Sequence, residues 1–112
     1  MATVQPTVRA MQVGVMEIVW DGLNTGDDGE WVAGLSRYPI KTVDVSGTTV
    51  TDVSLQGRDQ SQVARTLNDS RGQGNSLQFA APGFREVLEN ADAIRPLVTT
   101  GAAVRVRLVA AR

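Results

Sequence analysis

Short runs of alternating apolar and polar residues fill nearly all of this chain, and each run ends within a few positions at a turn rich in Gly, Asp, Asn or Pro. Residues 52–83, DVSLQGRDQSQVARTLNDSRGQGNSLQFAAPG, show the pattern at its densest. A period of two places successive side chains on opposite faces of a pleated strand, and no helix can bury that pattern on one side. Composition agrees, because Val (16) and Thr (10) outnumber Leu (8), and Gly (11) is frequent. β-Branched side chains fit a half-buried pleated surface, and Gly turns without steric cost. The 112 residues suit a single core; two domains would each be too small to stand without a staple.

Residues 1–10 are small and polar, include Pro6 and show no period. They read as an extended arm that orders against a partner, ahead of a domain spanning 11–112. Residues 12–20 form a strand with Val13, Val15 and Val19 on one face and Met16, Ile18 and Trp20 on the other. A strand apolar on both faces lies centrally in a sheet or against another subunit. The acidic turn 21–30 and the alternation of Trp31, Ala33 and Leu35 then predict a hairpin. Strands follow over 40–47, with Val43 and Val45 on one face and Thr42 and Asp44 on the other, and over 48–57, with Thr51, Val53 and Leu55 on one face. Shorter ones are expected at 62–67 and 77–79. Residues 84–88 fit a helical spacing through Phe84, Val87, Leu88 and Ala91, but a short strand suits the rest of the chain better. The segment 93–100 is a strand in which Pro96 marks an edge or a bulge. The last strand, 102–111, turns Val104, Val106 and Leu108 inward and Arg105 and Arg107 outward. About eight short antiparallel strands at such spacing predict an all-β fold, a single jelly-roll-like β-sandwich.

The chain has no Cys and no His. Disulfides, thiolate metal sites and every histidine-dependent triad are therefore excluded. Asp21, Asn24, Asp27, Asp28 and Glu30 form an oxygen-rich turn whose spacing does not match a calcium loop, so it reads as solvated. Asp59, Asp69, Glu86, Glu89 and Asp92 fall in turns or at strand ends, where no opposed pair for glycoside hydrolysis is apparent. No enzyme, cofactor or metal is expected. The net charge of −1 lacks a basic patch for nucleic acid, and no apolar stretch is long enough to span a membrane. The beginning of the chain does not resemble a secretory signal. The cations are ten Arg and one Lys, Lys41; an Arg-rich balance is a mild indication of protein contacts.

One resemblance is carried by residues 43–110. Gln56-Gly57-Arg58-Asp59, Thr66-Leu67-Asn68-Asp69 with Gly72 or Gly74, and Ile94-Arg95-Pro96 with Gly101 follow one another before a V-x-V strand. This order resembles a β-sandwich motif recurrent in tailed-phage virion proteins. The sequence departs from it at the turn, where Gln60-Ser61-Gln62 replaces Gly, Thr and Asn and Val63 replaces an aromatic. The resemblance implies a virion structural protein made in the host cytoplasm and carried on the outer head surface. Its expected role is that of a capsid decoration or cement protein bound to the major capsid protein or other virion proteins. A neck or tail component, or a carbohydrate-binding module displayed on the particle, are the alternatives. Five aromatics are few for a sugar site.

Partner contact is expected at Val4 and Arg9 on the arm, at Met16, Ile18 and Trp20 on the second face of the 12–20 strand, and at Arg105 and Arg107. Trp20 and Trp31 can alternatively pair in the core, and the two arginines can simply be solvated. Accessory shell proteins of the resembled kind cluster at symmetry axes, so the resemblance together with the second apolar face implies a homotrimer.

Overall fold

A computed structural model describes residues 2–59 and 63–112 of the chain. The strands in order are β1 (Thr3–Val4), β2 (Thr7–Gln12), β3 (Val15–Leu23), β4 (Asp28–Gly29), β5 (Ile40–Ser46), β6 (Thr49–Arg58), β7 (Arg65–Thr66), β8 (Gln78–Phe79), β9 (Gly83–Glu86), β10 (Ala93–Ala102) and β11 (Val104–Ala111). One 3-10 turn covers Leu35–Arg37. Among the described residues no helix is long and apolar enough to cross a membrane.

The strands form two facing sheets. The first runs β1-β4-β10-β6-β7, with β8 also on β6; the second runs β2-β3-β11-β5-β9. All pairings are antiparallel except β1 with β4. Successive strands mostly change sheet: β3 is followed by β4, β5 by β6, β9 by β10 and β10 by β11, each on the opposite sheet. This winding makes the expected sandwich, and it also removes the expected hairpin. β3 pairs with β2 and β11, whereas Val32 makes only an isolated bridge to Ile94 of β10.

The core lies where the inward residues of the two sheets meet: Ile18 and Trp20 of β3, Val43 and Val45 of β5, Val53 and Leu55 of β6, Ile94 and Val98 of β10, and Val104, Val106 and Leu108 of β11. The division into two faces read for β5 and the inward and outward faces predicted for β11 are those observed, with Val43 and Val45 buried, Arg105 exposed and Arg107 half-buried. Residues 84–88 begin as a strand, β9, rather than a helix. On β6 the predicted alternation slips. Val50 and Val53 are both buried while Thr51 is exposed, because the pairing with β10 shifts register between Val98 and Gly101. A bulge of this kind reverses which residues face inward.

Pro96 lies within β10, opposite Leu55. Its neighbours Ile94 and Val98 donate backbone bonds away from β6, to Val32 and Asp27. The donor that proline lacks is therefore missing only on the side of the two-residue β4. Gly29 of β4 fits against it. A Cβ there would stand 2.5 Å from Pro96 Cδ and 2.5 Å from Trp20 Cδ1.

Residues expected as an unpaired arm are strands. Thr3–Val4 pairs with β4, and Thr7–Gln12 pairs with β3. Ala2 N donates to Asp27 Oδ1 at 2.9 Å, and Glu30 N donates to Val4 O at 2.8 Å. The low apolar content of the segment sets its exposure, but backbone bonds order it within the chain itself.

Candidate functional site

The residues singled out for partner contact separate by depth. Ile18 and Trp20 are fully buried in the chain's own core, which corrects their expected place on an interface. Strand β3 is central in its sheet, so its inward face packs against the opposite sheet rather than a subunit. The Trp20 indole Nε1 donates to Glu30 O at 3.0 Å, satisfying its one polar atom. Val4 and Met16 are half-buried and pack on the core edge.

Arg9, Glu17 and Arg107 form a cross-strand cluster on the outer face of the second sheet. Glu17 Oε1 lies 3.0 Å from Arg9 Nη2, and Arg107 Nε donates to Glu17 Oε2 at 2.5 Å. The Arg107 bond, followed by the charges of Arg9 and Arg107, holds the Glu17 carboxyl below its ordinary range, against the opposing effect of burial. Arg107 thus spends its fork inside the protein, while Arg105 remains exposed. Register places Arg9, Glu17, Val109, Thr42 and Glu86 in one row across this face, and Thr7, Val19, Arg107, Asp44 and Phe84 in the next. Phe84 is 76% exposed.

The edges of the sheets differ. β1 and β7 each have two residues. The far side of the β9 segment is covered, since Ser70 N donates to Glu86 O and Leu88 N to Asn68 O. Among the described residues β2 is the long edge left open: six residues, every one exposed, bonded to β3 alone. Val8 and Met11 lie on it, and Val13 beyond it is 99% exposed. Short, covered or charged edges are the usual protection against pairing, and β2 carries one charge, Arg9.

The acidic turn is a hydrogen-bonding junction. Asp27 accepts from Ala2 N and Asn24 N, and Asp28 accepts from Thr3 Oγ1 and Arg95 Nη1. The backbone donors of Asn24 and Ala2 hold the Asp27 carboxyl low. Asp69 is bound by Arg71 through Nε and Nη2, which lowers its pKa. Asp92 accepts from Ser36 Oγ, with the same effect.

Lys41 had no assigned place in the sequence. It is fully buried, and its Nζ donates to Asn90 Oδ1 at 2.5 Å. The alternation that turns Val43 and Val45 inward carries Lys41 with them, so the signal was available. Burial lowers its pKa, and the charge of Asp92 opposes that shift. Among the described residues no three carboxylates are grouped as the ligands of a metal ion would be.

A cleft of about 430 Å³ opens on the outside, between the end of β6, β7 and the loop from β9 to β10. Arg58, Arg65, Asn68, Glu89 and Asn90 line it. Gly57 lets its floor close: a Cβ there would lie 2.6 Å from Leu67 Cδ2 and 2.8 Å from Ala91 Cβ. Trp31 lies beside it and not in the core. The guanidinium of Arg58 lies 4.3 Å from the Trp31 ring centroid, and that of Arg95 lies 4.6 Å from it. The turn departure at Gln60, Ser61 and Gln62 falls outside the described residues.

No protein-family model matches the sequence, and no curated protein matches it significantly. Solved structures do match its fold. The SPBc2 prophage-derived protein YomS aligns with a TM-score of 0.66 at 10% identity, over 93% of this chain and 100% of that one. A cupin domain from Bordetella pertussis aligns with a TM-score of 0.53 at 12% identity, over 99% and 95% of the two chains. A protein with a double-stranded β-helix domain from Klebsiella pneumoniae aligns with a TM-score of 0.51 at 13% identity, over 96% and 73%. At such identities the likeness is one of fold alone: the chain is an all-β sandwich, similar in architecture to these cupin, double-stranded β-helix and prophage-derived proteins.

Proposed function

We propose that this protein is a non-enzymatic structural component of a phage particle, a capsid decoration or cement protein on the outer head surface. The observation that carries the reading is the alignment with the whole of a prophage-derived chain. The surfaces described above supply the means. An open six-residue edge pairs readily with another chain, and its backbone groups need no particular sequence in the partner. Major capsid protein or another virion protein is the partner, and the copies cluster as a homotrimer. With Ile18 and Trp20 internal, the contact falls to β2, to Arg9 and Arg105, and to exposed Phe84.

Particle reconstruction is the test. Density for this fold on the head shell supports the reading; density confined to the neck or tail, or no density, rejects the head assignment. Val8→Lys together with Met11→Lys places charge on exposed β2 positions and should abolish attachment with little change in melting. Light scattering of the cluster should give three chains; a monomer in solution and isolated copies on the particle would reject the trimer.

A further inference from the structure

Arg58 and Arg95 both stack on Trp31, yet they differ in what compensates their charge. Arg95 donates from Nε to Gln56 Oε1 at 3.0 Å and from Nη1 to Asp28 Oδ2 at 3.1 Å. Arg58 takes part in none of the five ion pairs among the described residues, and its Nε is buried with no hydrogen-bond partner. A guanidinium nitrogen buried without an acceptor is costly, and such groups call for an explanation. Arg58 also lines the cleft, as does Arg65 of β7. Glu89, on the cleft's other wall, is engaged: Asn68 N donates to its Oε1 at 2.7 Å and Asn68 Nδ2 to its Oε2 at 2.6 Å.

We propose that this cleft is a carboxylate-binding site in which Arg58, stacked on Trp31, is the anchor. A planar carboxylate matches the guanidinium fork, and stacking on an aromatic face orients that fork without using its donors. The formal charges of Arg58, Arg65, Asp59 and Glu89 cancel, which favours a monoanion over a phosphate dianion or a polyanion. The volume is in the range of small-molecule sites and suits one acidic residue or one sugar acid. Gln73, exposed on the cleft wall, can meet the hydroxyl or amide groups of such a ligand, whereas the Asn90 amide is held by Lys41 Nζ and Ser36 O. The site opens at the surface by the end of β6, and the core residue Leu67 forms part of its floor.

The two sources of a carboxylate are separated by two probes added to the purified chain: N-acetylglutamate methylamide, standing for an acidic side chain of a partner protein, and glucuronate. Their neutral counterparts are N-acetylglutamine methylamide and glucose. Binding is read from the arginine Nε–H resonances and the Trp31 indole resonance by NMR. At least one acid should give a saturable shift at Arg58 and Trp31 and bind at least about tenfold tighter than its neutral counterpart, as a hydrogen-bonded charge implies. The acid that responds identifies the source. Arg58→Gln should abolish the shift, and Arg58→Lys, which keeps charge but loses the fork, should weaken it. Arg65→Gln, at an exposed position, gives a second variant if Arg58 changes impair folding, and it too should weaken binding. The inference fails if neither acid shifts these resonances, if the neutral compounds bind equally, or if folded Arg58→Gln or Arg65→Gln binds like the parent. A failure here would leave the particle assignment standing, since no particle enters the test.

Discussion

Gly29→Ala should destabilise this protein far more than its single added methyl suggests. The new Cβ would stand 2.5 Å from Pro96 Cδ, 2.5 Å from Trp20 Cδ1 and 2.6 Å from Trp20 Nε1. Neither neighbour can yield easily. The proline ring is fixed to a strand paired along its length with β6, and the indole is fully buried and tied to Glu30 O. Overpacking costs about 1–3 kcal/mol, and a displaced indole would forfeit a hydrogen bond of about 1 kcal/mol. The alanine recovers some 0.4–1 kcal/mol by restricting the unfolded chain. The net expectation is about 2 kcal/mol, or roughly 8 °C in melting temperature for a domain of this size. Gly83→Ala is the control, because its Cβ would meet nothing within 4 Å and its φ is not in the left-handed region. It should be neutral or slightly stabilising. Thermal and urea melts followed by tryptophan fluorescence measure both. Pro96→Ala removes one of the clashing atoms, so the double variant should lose less than the sum of the singles. If Gly29→Ala melts together with Gly83→Ala, the packing of Trp20 and Pro96 over β4 is wrong.

Ile18→Asp buries an unpaired carboxylate among the core side chains and should unfold the chain, so a folded but detached variant in circular dichroism would return Ile18 to the surface. Lys41 is the only lysine and is fully buried, so amine reagents should label its ε-amine slowly in the native protein and rapidly in urea; equal rates would place it outside. Its depressed folded pKa means that the unfolded chain binds the extra proton, so its contribution to stability should rise with pH between the lowered value and the ordinary lysine value, and Lys41→Met should flatten that alkaline rise. Asp69 has the same sense in the acid range: its lowered folded pKa gives stability that is present above the ordinary carboxylate pKa and lost as pH falls through the folded value, so Asp69→Asn should lower stability near neutrality and make the acid limb of urea melts shallower.

Local alternation was enough to place β5 and β11, whereas β9, whose residues also fit a helical spacing, was placed only by the strand character of the rest of the chain. A pleated strand turns each residue opposite to its neighbour whatever it pairs with. Val43, Val45, Val106 and Leu108 were legible as core on that ground alone, and the same rule carried Lys41 inward. The all-β class and the sandwich follow from the spacing of such runs. Pairing partners were not legible. The hairpin expected between 12–20 and 31–35 is absent because consecutive strands cross between sheets, and β3 finds β2 and β11 instead. That choice also decides Ile18 and Trp20. Their face is apolar in either case, and only the opposite sheet determines whether it meets the chain's own core or another subunit. The slip at Thr51 depends on a bulge shared with β10, which no window of the sequence contains. Polar neighbours were equally hidden: Glu17 meets Arg107 across 90 positions and Arg95 meets Asp28 across 67. The cleft beside Arg58 joins segments from three parts of the chain. The sequence by itself determined what each strand could bury; the fold decided against what, because burial needs two surfaces and a strand carries the pattern of only one.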